Sequence, residues 1–235
     1  MAAPVDVRGR RPGADDITPG PLAADLTELV TRRAAGEFEL DEWGLDRDLL
    51  RMAGPLSALR WRVDVETAVP AGDALPSKGG VLVVFSRSLG LSEPSVVAAG
   101  LGRASGRPVR VVGVPDLAPL NWWLRRLGGV ADRPEEVRGL LRAGQVVAAP
   151  LGRSPLYRRR PGGSPAELLA VAIGLRVPIV PVAVLGHEAG RRWRLRVAEP
   201  ILPEGRRPRR ATPVREADLG RVEVRVHDRI DELLG

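Results

Sequence analysis

Ser86, Arg87, Ser88, Ser92 and Glu93 fall within eight residues, between the apolar run Val81–Phe85 and Pro94. Hydroxyls and a carboxylate at the exit of a buried strand are ingredients of nucleophilic or acid–base chemistry. This set lacks a good base. Arg87 stays protonated at any relevant pH and takes no proton. Ser88 becomes a nucleophile only beside a base, and Glu93 is an odd partner five positions along the chain. The chain has two histidines. His187, beside Glu188, reads as an exposed loop residue, and His227 reads as structural or surface.

Other chemistries find less support. The single lysine, Lys78, precedes a strand and not a helix, and no Gly-x-x-x-x-Gly-Lys-Ser/Thr phosphate loop is present. There is no Gly-x-Ser-x-Gly. No His, Asp or Glu cluster has metal-ligand spacing, and no cofactor is expected. With zero cysteines, a disulfide framework and a thiolate metal site are both excluded, which fits a reducing compartment.

The elements that must position the turn follow from periodicity. Val81–Phe85 reads as a fully apolar central strand. Arg60–Val69 alternates, with Trp61, Val63 and Val65 on one side, as a half-buried edge strand does. Val109–Val114, Val146–Ala149, Val177–Leu185 and Trp193–Ala198 read as further strands. Helices are predicted over Asp41–Leu59 with a break near Gly54-Pro55, Pro94–Arg103 with an end near Gly102, Pro119–Leu127, Arg133–Ala143 and Ser164–Leu175. In the last, Ser164 is placed as N-cap, Pro165 as N1 and Glu167 as N3. Pro70–Gly80 reads as a loop. Arg215–Leu234 starts loosely and ends as a helix. Strands alternating with helices of about ten residues imply an α/β fold, a mostly parallel central sheet flanked by helices.

At 235 residues the chain fits one such domain plus a tail. Met1–Gly20, rich in Pro, Gly, Arg and Asp, reads as a disordered tail without a secretory signal. Residues 21–59 read as a helical segment packing on the domain, including Pro21–Ala35 with Leu22, Leu26, Leu29 and Val30 on one face. Residues 60–235 form the α/β domain. No apolar run reaches the ~20 residues that span a bilayer. A cytoplasmic location, peripheral on the inner membrane face, is expected. Net charge is +7, and Arg153–Arg160 and Gly205–Arg215 are basic loops. Such a balance admits an anionic membrane surface as partner. Nucleic acid is disfavoured, since only Arg191-Arg192-Trp193-Arg194 interleaves an aromatic with basic residues.

Four blocks between Gly36 and Pro203 resemble the glycerophospholipid acyltransferase family, especially its actinobacterial soluble or peripheral members. Val177–Gly186 (VPIVPVAVLG) is similar to the family's fourth block, and the resemblance puts Val180 and Pro181 on the acyl-chain side of the site. Arg107–Asp132 is similar to the second, which implies that Arg125 or Arg126 helps hold the acceptor phosphate. The third, Phe-Pro-Glu-Gly-x-Arg-Ser in the family, is matched by Pro150, Gly152, Arg153 and Ser154, with Leu151 at the Glu. The first, Asn-His-x-x-x-x-Asp, supplies a His general base and an orienting Asp. Aligning Pro94 puts Ser88 at the His and Glu93 at the Asp, and aligning the strand end puts Arg87 at the His.

Three readings follow. The first is a divergent acyltransferase-fold protein without His-based catalysis, acting as a lipid- or acyl-binding or regulatory homologue. The second is an active acyltransferase with a replaced base. By resemblance it would move an acyl group from acyl-CoA or acyl-carrier protein to a lysophospholipid-like acceptor. The third is a protein-interaction or nucleic-acid role on the basic loops. Loss of a general base costs about 10²–10⁴ in rate, which places the first reading ahead.

Overall fold

The computed structural model of the chain describes residues 27–28, 30–32, 34–36, 40–86, 92–114, 120–151, 164–203 and 214–235. Two compact units divide it, Met1–Phe38 and Glu39–Gly235. In the first, residues 27–28, 30–32 and 34 are helical, and the Thr31 hydroxyl donates to the Thr27 carbonyl at 2.8 Å. Leu22, Leu26, Leu29 and the 1–20 tail lie outside the described residues.

The second unit runs α1 (Arg47–Arg60), β1 (Arg62–Thr67), α2 (Ala71–Ala74), β2 (Val81–Ser86), α3 (Glu93–Ser105), β3 (Val109–Val112), α4 (Leu120–Arg126), β4 (Gly129–Val130), α5 (Pro134–Arg142), β5 (Val146–Leu151), α6 (Pro165–Leu175), β6 (Ile179–Leu185), β7 (Arg192–Val197) and α7 (Glu216–Leu234). One seven-stranded sheet has the order β1-β7-β6-β2-β5-β3-β4. Every pairing is parallel except β6 with β7.

Apolar patterning decides each strand's place. The VLVVF run of β2 is buried residue after residue, as a central strand covered by helices on both faces must be. β7 alternates, burying Trp193, Leu195 and Val197 and exposing Arg192 and Arg194, and β1 forms the outer edge beside it. Two apolar clusters sit on opposite faces. One joins Leu82, Val84 and Val147 to α5, α6 and α7, and the other joins Val83, Phe85, Val180 and Trp193 to α3.

Helix ends follow local chemistry. At α6 the Ser164 hydroxyl accepts from the Glu167 amide (3.2 Å), and the Glu167 carboxylate accepts from the Ser164 amide (3.1 Å), a reciprocal cap. α3 passes Gly102 and stops at Gly106, whose left-handed φ of 66° glycine adopts at little cost. α1 runs through Gly54 and Pro55 without the expected break. Pro55 cannot donate to the Arg51 carbonyl, a loss of one ladder bond that the rest of the helix absorbs. The Pro70–Gly80 stretch holds the short α2, and β4, unforeseen in the sequence, pairs with β3 through Gly129 and Val130. The valine alternation near the C-terminus belongs to a helix from Glu216 onward. Val222, Val226 and Ile230 recur at helical spacing and are buried, while Val224 faces solvent.

Candidate functional site

Parallel pairing brings the C-terminal ends of β2, β5 and β6 to one edge of the sheet. Phe85 stands opposite Pro150 on one side and Val182 on the other, Val84 opposite Pro181, and Ser86 opposite Leu151. Ligands of open parallel sheets bind outside such strand ends. Arg87, Ser88, Gly152, Arg153 and Ser154 lie outside the described residues, as do residues 153–160 and 205–213 of the two basic stretches.

Ser86, which ends β2, and Ser92, which precedes α3, are both bonded to β6 and the segment after it. The Ser86 hydroxyl accepts from the Val184 amide at 2.8 Å. Ser92 donates its backbone N–H to Glu188 Oε1 and its hydroxyl to Oε2, both at 2.6 Å. Ser92 is the N-cap of α3 but makes no cap bond with its own side chain, so Glu188 takes the hydroxyl and one of the helix's orphan amides. The same segment is gripped by the end of α1. Arg60 donates to the Glu188 carbonyl (3.1 Å) and Arg191 to the Leu59 carbonyl (2.6 Å).

Glu93 opens α3 and is 0% exposed, so its carboxyl does not face an acceptor arriving from solvent. Leu151 turns its side chain onto the core cluster beneath α5 and α6. Val180 and Pro181 are buried in β6, and Pro150 is half-buried in β5. The two prolines each remove a ladder donor beside β2, near where the strand gives way to the turn.

Arg125 and Arg126 are not part of this cluster. They sit on α4 beside β4, three strands from β2. Arg125 donates to Asn121 (3.1 Å) and forms a two-pronged pair with Glu136 (2.9 and 3.2 Å), which straps α4 to α5. Arg126 lays its guanidinium over the Trp122 ring at 3.8 Å from the centroid.

His187 stands exposed just past β6, at the site edge. Its carbonyl accepts from the Gly190 amide (2.8 Å), and a Cβ at Gly190 would come 3.3 Å from the imidazole. His227 is exposed on α7 and bonded through Nδ1 to the Glu223 carbonyl (2.8 Å). Asp132, just past β4, has its carboxyl pushed above the ordinary aspartate value by burial and, secondarily, by the negative charge of Glu167. Among the described residues no group of three or more His, Cys, Asp or Glu is placed to hold a metal ion. A cavity of about 170 Å³ between Ala68, Ala198, Glu199 and Leu233 opens where β1 and β7 end, at the opposite edge of the sheet, and is separate from this site.

The sequence did not point to the pairing of Glu188 with Ser92. Their partnership spans 96 residues and leaves no local pattern. The one available signal was a serine in N-cap position before Glu93-Pro94.

Helices on both faces of a mostly parallel seven-stranded sheet define an α/β protein of acyltransferase fold. The chain is similar to the crystal structure of the 1-acyl-sn-glycerophosphate (LPA) acyltransferase PlsC from Thermotoga maritima, with a TM-score of 0.51 and 19% sequence identity over 80% of this chain and 81% of that one. At that identity the likeness is one of fold. No family model and no curated protein matches the chain.

Proposed function

We propose that this chain binds an acyl group and a lysophospholipid-like molecule at the C-terminal ends of β2, β5 and β6, and does not carry out His-based acyl transfer. The observation that carries this reading is the enclosure of Glu93. The acid best placed by sequence to replace a catalytic base is fully buried at the start of α3, and the neighbouring hydroxyls of Ser86 and Ser92 are bonded to Val184 and Glu188. Leu151, half-buried against the core, offers no acceptor where the family pattern has Glu. Acyl-CoA or acyl-carrier protein is the donor-type ligand, as the resemblance of the sequence blocks to the acyltransferase family implies. The protein acts as a lipid-binding or regulatory homologue, cytoplasmic or peripheral at the inner membrane face. Equilibrium titration with a non-hydrolysable acyl-CoA analogue and with lysophosphatidate tests the reading. Saturable binding of both is expected, and no binding of either overturns it.

A second reading, transfer with a replaced base, is favoured by one observation. His187 is an exposed imidazole at the same sheet edge, one residue before the carboxylate that holds Ser92. Turnover that is lost in His187→Gln and retained in Glu93→Gln would replace the first reading with this one.

A further inference from the structure

The end of α1 carries two exposed leucines, Leu56 (54%) and Leu59 (70%), three positions apart on one helix face. Arg60 follows on that face, exposed. Beside it, β1 and β7 begin with Arg62 and Arg192 directly opposite each other in the ladder, both exposed, and the Arg62 amide donates to the Arg191 carbonyl at 2.6 Å. Arg191 in turn grips the Leu59 carbonyl. Four arginines thus lie at this end of β1 and β7, Arg62 and Arg192 on the α7 face of the sheet and Arg60 and Arg191 toward α1 and its leucines, next to the segment that bonds Ser92.

Like charges directly opposed across a ladder are destabilising. Further along the same two strands the chain compensates them. Glu66 takes both Arg194 (3.0 Å) and Arg196 (3.3 Å). Among the described residues, Arg62 and Arg192 form no such bridge. Folding gains nothing from this repulsion, and an anionic partner relieves it. Exposed leucines with arginines nearby match the interface of an anionic bilayer, where apolar side chains enter the acyl boundary and guanidinium groups meet phosphates. A second copy of the chain is a poorer fit, because an isologous contact sets the arginine cluster against itself.

We infer that Leu56, Leu59, Arg60, Arg62, Arg191 and Arg192 form a docking surface for an anionic lipid bilayer, which presents the strand-end site to the membrane. The inference does not depend on whether acyl groups are bound or transferred, because docking and acyl binding are read separately.

The test is sedimentation of the full chain with vesicles of phosphatidylcholine alone and of phosphatidylcholine mixed with phosphatidylglycerol, at low and high salt. Binding to the mixed vesicles only, weakened by salt, is expected. R62Q/R192Q changes exposed side chains and is expected to lower partitioning roughly thirtyfold, from about fivefold per arginine. L56S/L59S is expected to abolish the salt-resistant part. Unchanged partitioning in both variants, equal binding to phosphatidylcholine alone, or no binding by the wild type overturns the inference. So does a wild-type dimer in light scattering that either variant dissociates. Failure of acyl-CoA titration alongside intact vesicle binding would sink the proposed function and leave the docking surface standing.

Discussion

Glu188 receives both the amide and the hydroxyl of Ser92 at 2.6 Å, so a residue beyond β6 caps a helix that follows β2. The start of α3 is thereby tied to the exit of β6. Ser86, at the end of β2, is tied to β6 through Val184.

Removing that cap has a measurable cost. Glu188→Ala leaves the Ser92 amide and hydroxyl to water and is expected to lower stability by about 1 kcal/mol, in the range of lost N-caps. Urea unfolding measures it. Glu188→Gln, which still accepts one bond, is expected to fall between wild type and Ala. A stability equal to wild type in Glu188→Ala would remove Glu188 from its capping role.

Arg110 is buried in β3, where desolvation pulls its guanidinium below its ordinary pKa and the paired Asp41 opposes that shift. The other Asp41 oxygen accepts from the Trp43 and Leu45 amides, both at 2.9 Å. This pins the segment before α1 to the sheet. Asp41→Ala strands a buried charge and is expected to cost about 3–5 kcal/mol. Asp41→Ala combined with Arg110→Leu is expected to recover part of it, since the uncompensated charge is gone. A double variant no more stable than Asp41→Ala would contradict the pairing.

Asp132 gives a pH signature. Its folded pKa lies above the ordinary aspartate value, so the folded state binds the proton more tightly than the unfolded one. Stability from this group is therefore full below the unfolded value of about 3.9 and is lost as pH rises through the folded value. Asp132→Asn, which carries no charge, is expected to raise the melting temperature at neutral pH and to match wild type near pH 3. An equal gain at both pH values would show that ionisation is not the cause.

Much of this architecture is legible in residue order. The unbroken apolar run Val81–Phe85 places β2 in the middle of the sheet, and the Ser164-Pro165-x-Glu167 pattern marks the start of α6, because strand burial and helix capping are decided by near neighbours. Where tertiary packing decides, the sequence misleads. Gly102 reads as a helix stop, yet α3 continues to the glycine that adopts a left-handed conformation. The expected loose start of Arg215–Leu234 is instead helical from Glu216, where Val222, Val226 and Ile230 bury one face. The candidate site was half legible. The strand-to-turn junction and its lack of imidazole can be read directly. The burial of Glu93, the trans cap by Glu188 and the separation of Arg125 and Arg126 from the β2 end arise from contacts between distant segments.

The most direct test of the central claim is incubation of the purified chain with radiolabelled long-chain acyl-CoA and a panel of lysophospholipids, against a heat-killed control, with binding measured in parallel. Saturable binding with no acylated product above the control is the expected result. Product formed at a steady rate, and abolished by His187→Gln, would contradict it and make the chain an acyltransferase with a relocated base.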